Sequence, residues 1–278
     1  MLRFVQEFGT LYVDKRLTRA SAALSYFLTM TLFPCLIILY TLLGSSYERA
    51  MRALDFIKNF IAAESVNTIA DFLGYVAANN STSMMVAALL VLVTSASAAV
   101  RSLQATIGEM QGGMRFQGLM SFIFSVIFSL IFVAAIYFAV VVMVTSRAFV
   151  QKLSSILPFL DFGESWNTLR FLLLAGIDYV IVWGVYAVSK RPGDRYRTAP
   201  GALLSTLGMV GVSIAFSVFI SASARYPLVY GSLASVILLM FWLYTNCLVI
   251  YCGAAFNIAL RNVREERKQT RFAPETGE

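Results

Sequence analysis

Asp178 offers the most chemistry in this sequence, because it is a carboxylate in the middle of an apolar run between Leu174 and Ile181. At the centre of a bilayer such a group costs about 2.5–3.5 kcal/mol, so it must face a partner or a cavity, or be protonated. Two roles stay open for it. It can form a substrate, cation or proton site, or it can lock two helices together through hydrogen bonds. Asn246, in the run Trp242-Leu-Tyr-Thr-Asn-Cys247, can hydrogen-bond across helices, and interhelical adhesion is its leading role. It is also a candidate partner for Asp178.

A stripe recurs at every fourth position: Gly201, Ser205, Met209, Ser213, Ser217, Ser221 and Arg225. That spacing keeps these residues near one helix face. Small residues there let two backbones approach closely, and packing is the leading reading. The second reading is a polar path through Ser213, Ser217 and Ser221 that ends at Arg225. Pro34 removes one backbone hydrogen bond from its helix and predicts a kink. The carbonyl it frees, near Met30, needs Thr29, Thr31 or water.

Other chemistry is excluded by residue type. The chain has no histidine, which removes imidazole as a base or metal ligand. Cys35, Cys247 and Cys252 lie in apolar runs without CxxC spacing, so they read as packing residues, with no metal site and no disulfide framework. No GxxxxGK[ST] loop is present, so transport driven by the chain's own ATP hydrolysis is not expected, and no cofactor is implied. No nucleophile–base pair is visible, and the chain is not expected to be an enzyme.

The elements that must position these residues are membrane spans. Of 278 residues, 59% are hydrophobic and 13% charged, against roughly 45–50% and about 25% in soluble domains. The apolar residues fall into six blocks, near Ala22–Gly44, Met84–Val100, Leu119–Thr145, Leu169–Val188, Gly201–Ser223 and Tyr230–Ala254. Most match a hydrocarbon core of about 30 Å at about 1.5 Å per residue. The second block is short and predicts a helix that continues through Arg101 and emerges into the aqueous phase over Ser102–Gln111. No cleavable signal peptide is expected, so the first block is retained as a span.

The expected fold is an all-α membrane protein with six transmembrane helices and amphipathic extracytoplasmic helices between the first and second. Residues 1–21 form an N-terminal segment, 22–260 the transmembrane domain and 261–278 a charged tail that starts as a helix and ends disordered. Within 45–83, Leu54, Ile57 and Ile61, then Ile69, Leu73 and Val76, recur at helical spacing, which predicts amphipathic helices at the membrane surface. Fifteen Lys and Arg flank the blocks on the side of the termini and six on the other. The positive-inside rule then puts both termini in the cytoplasm of a cell membrane. The net charge of +7 is accounted for by these flanks meeting anionic headgroups, so membrane lipids and no nucleic acid are the expected partners. Self-association into a homo-oligomer is left open.

Several segments together resemble the YihY/BrkB family of inner-membrane proteins. They are the run Ala22–Pro34 with its aromatic pair and Phe-Pro, the entry Arg195-Tyr-Arg-Thr-Ala-Pro-Gly-Ala202, and the last span from Tyr230-Gly-Ser through Phe241-Trp-Leu-Tyr to Gly253-Ala-Ala-Phe-Asn257. Ser97-Ala-Ala-Val-Arg-Ser-Leu103 adds weaker support. The resemblance implies six helices and a transporter or virulence-associated role, without naming a substrate. The family usually has an acidic residue where this chain has Ala255, so a role for that carboxylate does not carry over. Some members also carry a ribonuclease label, which a chain without histidine or an acidic cluster does not favour. A transporter or exporter of an unidentified, lipid-like or amphipathic substrate is the leading expectation. A structural or assembly factor of the cell envelope is the alternative.

Overall fold

In the computed structural model, six helices are long and apolar enough to cross a membrane. Residues 2–43, 46–57, 63–79, 81–113, 118–144, 162–191, 194, 196–222 and 233–272 are described. Nine helices are found among them: α1 (Leu2–Asp14), α2 (Leu17–Leu42), α3 (Tyr47–Ile57), α4 (Ala63–Ala78), α5 (Thr82–Gln111), α6 (Gly118–Val144), α7 (Phe162–Ser189), α8 (Ala199–Ala222) and α9 (Leu233–Phe272). The spans lie in α2, α5, α6, α7, α8 and α9, one for each of the six apolar blocks. This is an all-α membrane protein, with no strand among the described residues.

Helix α9 is the axis of the bundle and packs against α8, α2, α1 and α5. It can do so because its inner face is rich in small residues. Ala254, Ala255 and Ala259 are buried beside Cys247, Tyr251 and Ile258. Helix α6 is the opposite case. Leu119, Phe122, Ile127 and Leu130 are exposed on it, the pattern of an apolar surface that meets lipid.

The hydroxyls of α2 bond back to their own helix, Ser21 to the Leu17 carbonyl at 2.7 Å and Thr41 to that of Ile37 at 3.0 Å. This satisfies them without a partner helix. Helix α2 runs through Pro34 without interruption. Thr29 donates to the Ser25 carbonyl, and Thr31 to the Phe27 carbonyl and to Ser95. Neither hydroxyl is therefore engaged with the Met30 carbonyl, for which both are candidates by sequence.

The extension of α5 beyond Arg101 forms as expected, but it does not emerge bare into water. Leu103, Ile107, Met110 and Gln111 are buried. The three apolar ones belong to the cluster that also holds Leu11 of α1 and Ile258 of α9. Apolar positions of helical period in that segment thus serve a protein core at the end of the span. Helix α5 then stops at Gly112, whose φ of 77° favours glycine. The Gly113 amide donates to the Gly108 carbonyl at 2.8 Å, closing a Schellman turn.

Helices α3 and α4 occupy the connection between the first two spans. Leu54, Ile69, Leu73 and Val76 are buried with Tyr40 and Ala50. Ile61 and the Ile57 side chain lie outside the described residues. The charged tail begins as a continuation of α9 to Phe272, and 273–278 lie outside the described residues.

Candidate functional site: a polar seam across α7, α8 and α9

The seam exists because α8 and α9 touch backbone to backbone. A Cβ on Gly253 would come within 2.6 Å of the Gly201 carbonyl oxygen and 2.9 Å of the Tyr186 hydroxyl. A Cβ on Gly208 would lie 2.7 Å from Val249 Cγ1. The first two members of the small-residue stripe, Gly201 and Ser205, thus serve close packing.

Polar groups fill the crossing. The Gly201 amide donates to Asn257 Oδ1 at 2.8 Å, and Asn257 Nδ2 donates to the Thr198 carbonyl at 2.9 Å. Asn257 therefore satisfies a backbone donor at the start of α8 from a different helix. One turn further on, Ser205 donates to the Val249 carbonyl at 3.2 Å and shares a 2.8 Å hydrogen bond with the Tyr186 hydroxyl. Tyr186 also donates to the Ile250 carbonyl.

Asp178 is half-buried on α7, and the Thr206 hydroxyl of α8 is its hydrogen-bonding neighbour. Thr206 Oγ1 is buried and does not complete a hydrogen bond of ordinary geometry. No cation pairs with Asp178 among the described residues. The structure therefore brings Asp178 to α8, and it does not join it to Asn246. Asn246 donates to the Trp242 carbonyl of its own helix at 2.8 Å, and its Oδ1 is buried without a partner among the described residues. Ser213 and Ser217 are half-buried on α8. The Ser221 side chain and Arg225 lie outside the described residues, so the polar path is followed only as far as Ser217.

Two parts of this arrangement are not legible in the sequence. Tyr186 and Thr206 read as ordinary span residues, since neither has a distinctive spacing. A second set lies at the end of the bundle where α1 meets the late part of α9. Gln111 accepts from the Arg191 amide and donates to the Tyr196 hydroxyl, both at 3.1 Å. Lys190 donates to the Tyr196 carbonyl at 2.7 Å, and its ammonium lies 4.9 Å from that ring. Arg261 pairs with Asp194 at 2.6 Å, and Asn262 donates to Glu7 at 2.6 Å. A polar residue immediately before Gly112-Gly113 is the one available signal for Gln111.

Among the described residues no group of three His, Cys, Asp or Glu could hold a metal ion. Between α5 and α6, Arg101 donates to Ser125 at 3.3 Å and lies over the Phe122 ring, while Ser97 and Ser129 meet at 3.4 Å.

Known proteins resemble the chain along most of its length. YfkH of Bacillus subtilis (strain 168), named ribonuclease-like, is 24% identical over 93% of this chain and 95% of its own length. A UPF0761 membrane protein of Xanthomonas campestris pv. campestris (strain B100) is 23% identical over 95% of this chain, which spans 62% of that relative. A UPF0761 membrane protein of Histophilus somni (strain 129Pt) is 21% identical over 94% of this chain and 91% of its own. No solved structure matches. The family described as Virulence factor BrkB matches residues 10–276, and the chain belongs to that family.

Proposed function

We propose that this protein carries or exports an amphipathic, lipid-like substrate across a cell membrane. The supporting observation is Asp178, half-buried within a span beside the incompletely bonded Thr206 hydroxyl. A carboxylate kept there at a cost of about 2.5–3.5 kcal/mol needs a reason, and a visiting polar group is one. The excess of basic residues around the termini supports an inner-membrane location with both termini in the cytoplasm. No catalysis is assigned. The ribonuclease-like name belongs to the Bacillus subtilis relative.

The test is purification in native-lipid nanodiscs and mass spectrometry of what is bound, for the wild type and Asp178→Asn. A specific lipid or small molecule in the wild type, depleted in the variant, is the expected result. Identical bulk lipid in both samples would overturn the transport role of Asp178.

The alternative is an assembly factor of the cell envelope. It is favoured by Tyr47 and Tyr75, which are exposed on α3 and α4 and suit a protein interface. A stoichiometric protein partner with no bound small molecule is its signature.

A further inference from the structure

We infer that the cavity beside the start of α8 is a phosphate-ester site, shaped for the headgroup of an anionic phospholipid. The cavity encloses about 300 Å³ between the segment before α8 and the later part of α9. That volume is at the small end of ligand pockets, with room for a headgroup and not for a whole lipid.

Its charge is one-sided. Arg197, Arg261 and Arg264 line it, and among the described residues no acidic side chain does. Arg261 is already committed, to Asp194 at 2.6 Å and to Asn262 at 3.1 and 3.0 Å. Arg197 and Arg264 are exposed, and neither makes an ion pair or side-chain hydrogen bond among the described residues. Two uncommitted arginines lining one small cavity suit the oxygens of a phosphate, which arginine binds in bidentate fashion. The positive end of the α8 dipole adds to the same field.

The rest of the wall is largely apolar, with Ala199, Pro200 and Leu260. The cavity lies where the spans Ala199–Phe219 and Val236–Glu266 meet their basic flank, the level at which headgroups sit. Basic pockets between spans are a known mode of headgroup recognition. Transport is not required, since a lipid held there permanently would fill the site equally well.

The test uses the full chain in phosphatidylcholine nanodiscs, titrated with phosphatidylglycerol and read by native mass spectrometry. Wild type should bind phosphatidylglycerol at least about tenfold more tightly than Arg197→Gln/Arg264→Gln. Arg197→Lys/Arg264→Lys should retain part of that affinity. Arg3→Gln removes an exposed charge paired with Glu266 and should change nothing. Glycerol 3-phosphate distinguishes the source. Failure to displace the lipid assigns the site to a lipid headgroup, and displacement at equal concentration assigns it to a free phosphate ester. Equal affinity in wild type and in both double variants, or no binding of either ligand, would overturn the inference.

Discussion

Asn257 of α9 accepts the Gly201 amide proton of α8 at 2.8 Å while donating to the Thr198 carbonyl at 2.9 Å. One buried side chain thus holds the start of another helix at both a donor and an acceptor. Asn257→Ala leaves two backbone groups unpaired, each costing about 1–3 kcal/mol when buried. The thermal midpoint of the purified protein should fall by several degrees. An unchanged midpoint would show that water replaces the side chain.

The contact between Gly253 and Gly201 predicts a steric phenotype. Gly253→Ala places a methyl group 2.6 Å from the Gly201 carbonyl oxygen, so a helix must move. Overpacking of this kind costs about 1–3 kcal/mol. Gly176→Ala is the control, because a Cβ there meets nothing within 4 Å. It should be neutral or slightly stabilising in the same unfolding measurement.

These two contacts separate what is legible in the sequence from what is not. Six spans can be read because a span must be long and apolar, and those properties survive without knowledge of neighbours. The spacing of Gly201 and Ser205 likewise points to a close helix crossing. Tyr186 and Thr206 cannot be read, because each gains its meaning from residues far along the chain that share no local pattern with it. The Ser102–Gln111 segment misleads for a related reason. Its polar residues suggest water, whereas its apolar positions are covered by α1 and α9.

Tyr196 predicts a pH dependence at the basic end. Burial pushes its hydroxyl up to about 12, more than Arg261 and the Gln111 hydrogen bond draw it down. A tyrosine raised from about 10 in the unfolded chain contributes stability that is fully present below about pH 10. That contribution is lost as pH rises from about 10 through about 12. The wild type should therefore lose stability relative to Tyr196→Phe over that window, and ultraviolet difference titration should show one tyrosinate step near pH 12 missing from the variant. A step at the ordinary value of about 10 would mean that the hydroxyl is open to water.

The orientation can be tested with single cysteines. Helix α5 starts at Thr82 and delivers Gln111 to the basic end of the bundle, so Ser83 and Glu265 lie at opposite ends. Both are exposed. Cys35 and Cys247 are buried and Cys252 is half-buried, so replacing all three by Ala or Ser gives a clean background. If the basic flanks face the cytoplasm, Ser83→Cys reacts with a membrane-impermeant maleimide on intact cells, and Glu265→Cys reacts only after permeabilisation. The reverse pattern would place the cavity lined by Arg197 and Arg264 on the outer face. It would then meet a different leaflet, and the charge asymmetry of the flanks would have failed to set the topology.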